Sequence, residues 1–337
     1  MRSNLDDGLV FGIYPGGAAG SDDGIAAGPP DDPERVEGCL DKLQGDSQPF
    51  VIRVYERFSD ADRPSRWAPR TPPNYERYGR SGRPLDLVLM FQSAGGDVPG
   101  YLRFVRGLIE RHAACLYSVQ ITEEANFTGG PDAIDGPYPN VRQALIEGVL
   151  EAKETLERLG ISGVKVGFNS TPTFGPGAEF WSSLGKLGGT SFVDALDYVG
   201  LDFFPDVFRP AAPDGEKGDV RESASAVLET MRREWLPAVG IGPRVPIHIA
   251  ENGWPTGPAR SAERQSQVLE TIIRTAYEAR KKLNIERYTM FDLRDADTTN
   301  PEVAGDIFYH FGLTHDDYSP KPAFQSYRRL IQELGVR

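Results

Sequence analysis

The sequence predicts an α/β protein whose strands close into a single (β/α)8 TIM barrel, one catalytic domain over residues 1–337. Three observations carry that reading: eight short apolar runs of strand type, amphipathic segments between them, and Gly, Pro, Asn or Asp closely following most of the runs. Strands that alternate with helices pair in parallel, because parallel neighbours need a crossover. Eight such units close a barrel; a doubly wound open sheet is the alternative.

In chain order the runs are Leu9 to Tyr14, Phe50 to Tyr55, Leu85 to Phe91, Leu116 to Ile121, Val164 to Phe168, Tyr198 to Phe204, Val245 to Ala250 and Arg287 to Leu293. Between them, Val98 to His112 sets Tyr101, Leu102, Val105 and Leu108 on one face. Val141 to Leu159 does the same with Leu145, Val149, Ala152 and Leu156. Ser223 to Glu234, Ser261 to Leu283 and a last helix from Ala323 to Leu334 share that period. Two irregular stretches remain, Ser59 to Pro84 after the second strand and Thr171 to Thr190 after the fifth. Both are read as βα loops, on the face where barrel enzymes build their sites; they either wall a substrate site or are surface insertions.

Composition narrows the partners. With 39% hydrophobic and 26% charged residues, the chain is globular. Its formal net charge of −12 disfavours nucleic acid and anionic membranes, which bind a basic face, and suits a neutral substrate. Cys39 and Cys115 allow one disulfide at most, and the apolar surroundings of Cys115 read as those of a buried thiol. Met1 to Gly8 is polar, and no segment reaches the ~18 apolar residues of a membrane span, so a cytoplasmic protein is expected. The histidines at 112, 248, 310 and 315 lack metal-ligand spacing, and no phosphate-binding signature follows Pro15-Gly16-Gly17. No metal and no cofactor are expected. Lys165 lies too early in the fifth strand to reach the rim and reads as a snorkelling or ion-paired lysine.

Two strand ends carry candidate chemistry. In Val245 to Pro255, alternation sets Ile247, Ile249 and Glu251 on one face, which is expected to be the interior. At the fourth strand, Ser118, Gln120, Thr122 and Glu124 share a face, and this polar column is the expected interior because barrel exteriors pack aliphatics on helices. Glu124 and Glu251 would then face each other across one barrel mouth. Retaining glycoside hydrolysis needs such a pair about 5–5.5 Å apart. One carboxylate attacks the anomeric carbon, while the other, its pKa raised, protonates the leaving oxygen and then acts as base. Tyr14, Phe174, Trp181, Trp254 and Phe291 fall near predicted rim positions and are candidate stacking partners for sugar rings.

These residues resemble the (β/α)8-barrel retaining glycoside hydrolases that carry their two glutamates after strands four and seven. Glu251-Asn252-Gly253-Trp254-Pro255 is similar to their nucleophile motif, and Glu123-Glu124-Ala125-Asn126 to their Asn-Glu-Pro-Asn acid/base motif. Phe311-Gly312-Leu313 and Ser319 to Phe324 resemble the stretch that closes many of these enzymes. The resemblance implies a glycosidase with Glu251 as nucleophile, Glu124 as acid/base and Arg53 supporting the nucleophile. It further implies a carbohydrate substrate bordered by Glu123, Asn126, Asp202, Phe204, Trp254, Phe291 and Asp295. Three positions depart from the pattern: Glu123 replaces Asn, Phe204 replaces a Tyr whose hydroxyl orients the nucleophile, and Phe291 stands where a Trp platform is frequent. The alternative they leave open is a barrel that binds glycans without cleaving them. A barrel isomerase or aldolase for sugar phosphates is disfavoured, since acidic residues stand where a phosphate cradle would be.

Overall fold

The computed structural model describes residues 8–21, 24–60, 72, 74–80, 82–129, 134–172, 179–208 and 219–336. Eight parallel strands close a barrel in chain order: β1 (Val10–Ile13), β2 (Phe50–Phe58), β3 (Leu85–Phe91), β4 (Leu116–Ile121), β5 (Lys165–Ser170), β6 (Tyr198–Asp202), β7 (Ile247–Asn252) and β8 (Ile285–Met290). The closed barrel excludes the open sheet. Helices α1 (Pro33–Gln44), α2 (Val98–His112), α3 (Val141–Arg158) and α4 (Glu179–Ala195) follow β1, β3, β4 and β5. After β6 come α5 (Val220–Thr230) and α6 (Leu236–Val239), joined by a π-helical turn, Met231–Trp235. Helices α7 (Ala262–Leu283) and α8 (Pro322–Leu334) follow β7 and β8.

Between β2 and β3 the described residues hold a 3-10 turn, Tyr75–Arg77, folded onto the outer layer through Tyr75 Oη to Glu56 (2.8 Å) and His112 (3.1 Å). Other expectations are corrected. Most of Thr171 to Thr190 is not loop, because α4 begins at Glu179 and buries Phe180, Trp181 and Leu184. Glycines disguise this helix; one of them, Gly189, kinks it at φ 59°. Trp181 therefore lies in the core, stacked on Trp235 at 5.9 Å, and not on the rim. Phe174 lies outside the described residues. Cys115 is half-buried, with Sγ donating to the His112 carbonyl (3.2 Å), and both thiols are free. Among the described residues no helix is long and apolar enough to cross a membrane.

Alternation along the strands makes two layers. Ile52, Val54, Leu87, Leu89, Val119 and Ile121 point outward into the core between barrel and helices. The inward residues are largely polar and charged. Asp86 accepts from Arg53 Nη1 (2.8 Å), Arg287 Nη2 (2.8 Å) and Ser118 Oγ, all without exposure. Nearer the N-terminal ends of the strands, Lys165 pairs with Glu286, and His248 Nε2 lies 3.3 Å from the same carboxylate. Burial and the Arg287 charge push His248 down to about 3, so its imidazole stays neutral. Asp86 is held ionised, well below the usual carboxylate range: burial opposes ionisation, but Arg287 and Arg53 outweigh it.

Removing that carboxylate would leave two buried guanidiniums facing each other. Asp86→Ala is expected to lower the unfolding free energy by about 3–5 kcal/mol, read by urea denaturation. A loss under about 1 kcal/mol would show that this pairing does not hold the barrel together.

Candidate active site

Glu251 reaches the interior by a route the alternation pattern did not contain. Ile247 and Ile249 belong to the outer layer, not the inner one, while His248 and Ala250 face inward. Leu201 pairs with Ile249 but Asp202 with Glu251, and Tyr288 pairs with Ile249 but Met290 with Asn252. β7 thus carries one extra residue before its end, and this bulge turns Glu251 inward. The β7 end passes so close to β8 that a Cβ on Gly253 would lie 2.0 Å from the Phe291 carbonyl oxygen, which requires glycine at that position.

At β4 the interior column begins as expected with Ser118 and Gln120, then alters. Thr122 and Glu124 take left-handed conformations, φ 64° and 45°. Thr122 Oγ1 folds back on the Ile121 carbonyl (2.6 Å), and it is Glu123 that joins Gln120 inside, at 2.7 Å. Two amide hydrogen bonds fix this turn. The Glu123 N–H donates to Asp135 Oδ2 (2.7 Å) and the Glu124 N–H to Asn169 Oδ1 (2.8 Å). Asp135 also accepts from the Phe91 N–H at 2.7 Å, tying the ends of β3 and β4.

One guanidinium organises the carboxylates. Arg53 Nε donates to Tyr55 Oη (2.7 Å) and Glu251 Oε1 (3.3 Å), Nη1 to Asp86 (2.8 Å) and Gln120 (2.9 Å), and Nη2 to Glu123 Oε2 (3.1 Å). The Tyr55 hydroxyl donates to the same Glu251 oxygen. On the other side, Asn169 Nδ2 donates to Asp202. Glu123, Asp202 and Glu251 each bring an oxygen within 4.8 Å of the others, a set that could hold a cation; the Arg53 guanidinium already stands among them.

Burial and mutual repulsion set the protonation order. Burial pushes Glu251 up to about 7, Glu123 adds to the rise, and Arg53 and the Tyr55 hydrogen bond oppose it. Glu124, half-buried at the mouth, lies well above the carboxylate range through desolvation and the charges of Glu123 and Glu251, with only Arg53 opposing. Burial, then Glu251 and Glu123, raise Asp202 as well. Tyr55 is raised far above its ordinary value by burial, so it remains a phenol and a donor.

The remaining candidates divide. Phe204 and Phe291 are half-buried and edge-on to each other at 6.3 Å beside the mouth. Tyr14 is buried and stacked on Phe291, centroids 5.5 Å apart. Asn126 clasps Thr171, its Nδ2 donating to the carbonyl (2.7 Å) and its Oδ1 accepting from the N–H (3.0 Å), so its amide braces two loops instead of facing a ligand. Trp254 is buried beneath Arg260, whose guanidinium lies 4.7 Å from the ring, and offers no open platform. Asp295 accepts from Lys321 Nζ (2.7 Å) and the Gly312 N–H (2.9 Å), both buried, and anchors the chain's last segment to the β8 loop. Sequence reasoning missed Tyr55, Asp135 and Asn169. Only Tyr55 had a plain signal, standing two residues after Arg53 and so on the same strand face.

No family model and no curated protein matches the chain. Solved structures do. A family 39 glycoside hydrolase from Bacteroides cellulosilyticus WH2 superposes with TM-score 0.60 at 14% identity, over 97% of this chain and 64% of that one. A β-glucuronidase from Ruminococcus gnavus gives 0.56 at 14% identity, over 96% of this chain and 48% of that one. A GH2 β-galacturonidase from Eisenbergiella tayi gives 0.56 at 12% identity, over 89% and 48%. The chain spans about half to two-thirds of the length of these structures, and at such identities the likeness establishes a shared barrel fold.

The Tyr55 hydrogen bond favours ionised Glu251. Tyr55→Phe is expected to move the Glu251 titration upward from about 7, followed by carbon-13 NMR of labelled glutamate carboxyls. An unmoved titration would remove Tyr55 from the site's electrostatics.

Proposed function

We propose that the protein is a hydrolase of β-linked glycosidic bonds, acting with retention of configuration, and that the barrel works as one catalytic domain. Glu251 is the nucleophile and Glu124 the general acid/base. The observation that carries this reading is the inequality of the two carboxyls. Glu251 is held by a guanidinium and a phenol that favour its charge, whereas Glu124 is desolvated beside two like charges. Two donors favour the Glu251 charge, while burial and two neighbouring carboxylates oppose the Glu124 charge, an asymmetry of the kind the reaction needs. The shared fold of the solved glycosidases supports the same class.

In the first step a Glu251 oxygen attacks the anomeric carbon while the bond to the leaving oxygen breaks and the Glu124 proton moves to that oxygen. A covalent glycosyl-enzyme results. Glu124, now a carboxylate, takes a proton from water as the water oxygen attacks the same carbon and releases Glu251. Arg53 and Tyr55 keep the attacking carboxylate charged and fix its direction. Burial and the neighbouring carboxylates favour the neutral form of Asp202, which lessens its repulsion of Glu251. Glu123 and Asp202 border the sugar, and Phe291 lines its far side.

A panel of chromogenic β-glycosides tests the assignment. Glu251→Gln is expected to abolish turnover with the fold intact, and Glu124→Gln to cost roughly 10²–10⁴-fold. Near-normal turnover in Glu251→Gln would refute it. Proton NMR of the first-formed sugar should show the β anomer, and an α product would exclude retention. The rate should climb as pH passes about 7, where Glu251 ionises, and fall at higher pH as Glu124 loses its proton.

A further inference from the structure

An aromatic path leads out of the barrel mouth. Tyr55, the hydrogen-bond partner of Glu251, lies edge-on to Tyr14 with centroids 5.3 Å apart at 81°. Tyr14 stacks on Phe291, which meets Phe204 (6.3 Å, 89°) and Phe311 (5.7 Å, 74°) edge-on. Phe204 also meets Phe311 at 78° and continues to Phe208 (5.8 Å, 72°), which packs on Phe308 (5.8 Å, 30°). Tyr14, Tyr55 and Phe311 are buried, Phe204, Phe291 and Phe308 are half-buried, and Phe208 is 57% exposed.

The chemistry of this wall is one-sided. After Tyr14 every ring is phenylalanine, and the neighbouring Asp206 is occupied, its carbonyl by Arg260 (3.3 Å) and its carboxylate by Arg264 (3.8 Å). A sugar ring is recognised by a flat aromatic face together with partners for its hydroxyls. Four of the phenylalanine contacts are turned by 72–89°, so the wall offers ring edges and interstices in place of a platform. Such a surface gains by covering hydrocarbon. One end of the path touches the carboxyl cluster, which must meet a sugar. The molecule that spans both is amphipathic.

We infer that the natural substrates are glycosides of an apolar alcohol or phenol, with the sugar at the carboxyls and the hydrocarbon part along Phe291, Phe204, Phe208 and Phe308. The inference rests on the hydrolase reading for the place of the scissile bond.

Calorimetric titration with methyl and octyl β-glucoside, β-galactoside and β-xyloside below their micelle concentrations tests it, with hydrolysis of the same compounds followed in parallel. At least one octyl glycoside is expected to bind roughly tenfold or more tightly than its methyl partner, since several methylenes become buried. Phe208→Ser, at an exposed position, should cut that ratio severalfold without changing the melting temperature. Equal binding of methyl and octyl compounds, a ratio unmoved by Phe208→Ser combined with Phe308→Ser, or tighter binding of cellotetraose than of any octyl glycoside would overturn the inference. So would no binding of any glycoside. Selective binding of octyl compounds without hydrolysis would instead sink the hydrolase reading and leave the apolar site standing.

Discussion

The guanidinium of Arg53 is the part on which the rest of the site depends. It sits inside the barrel without exposure and donates to Tyr55, Glu251, Asp86, Gln120 and Glu123 at once. Three of those partners are carboxylates that would repel one another in a low-dielectric interior if left alone. Because the fork is planar and its donors are fixed, it also sets direction, and so it registers β2, β3, β4 and the end of β7 against each other. Lysine, a compact point charge with three donors, could not serve five acceptors in one plane. Arg287 adds a second guanidinium at the same Asp86 oxygen, Oδ2, whose partner oxygen accepts from Ser118.

Regular strands cannot deliver two adjacent glutamates to one barrel mouth, since consecutive side chains point to opposite faces. The protein solves this with irregular backbone at both ends that matter. Left-handed Thr122 and Glu124 break the alternation after β4, and a bulge breaks it in β7. Such conformations cost about 1–3 kcal/mol each and persist only where the surroundings over-determine them. Here Asp135 and Asn169 do so by accepting the backbone N–H groups of Glu123 and Glu124 in succession. Asp202 in turn accepts from Asn169, which links β4, β5 and β6 through one amide.

This explains what the sequence disclosed and what it did not. The barrel was legible because its outer layer is written in aliphatics with period two, as in Leu85 to Phe91, whose range the strand matches at both ends. Helices with a clear apolar face, such as Val98–His112, were equally plain. Helix α4 was hidden by its glycines, and the β2–β3 connection supplies a 3-10 turn where a regular unit has a helix. The inward placement of Glu251 was expected for a mistaken reason: the Ile247–Ile249–Glu251 column does not exist, because a bulge leaves no trace in the residue pattern. Asn126, Trp254 and Asp295 fit a motif by type, yet their polar groups or faces are engaged within the protein. Motif position and ligand exposure are separate properties, and only contacts distinguish them.

Phe204 shows how one departure becomes intelligible through another. Read alone, phenylalanine at that position lacks the hydroxyl that the resemblance implies there. In the folded chain the hydroxyl at Glu251 comes instead from Tyr55 on β2, on the same inward face as Arg53. Phe204, without a hydroxyl, packs edge-on with Phe291 and Phe311. Carboxyls and amides gather at the ends of β4, β5, β6 and β7, while Tyr14, Phe291 and Phe311 follow β1 and β8 and meet Phe204 from beyond the end of β6. Polar and apolar surfaces so placed side by side differ in what it costs to take water off them.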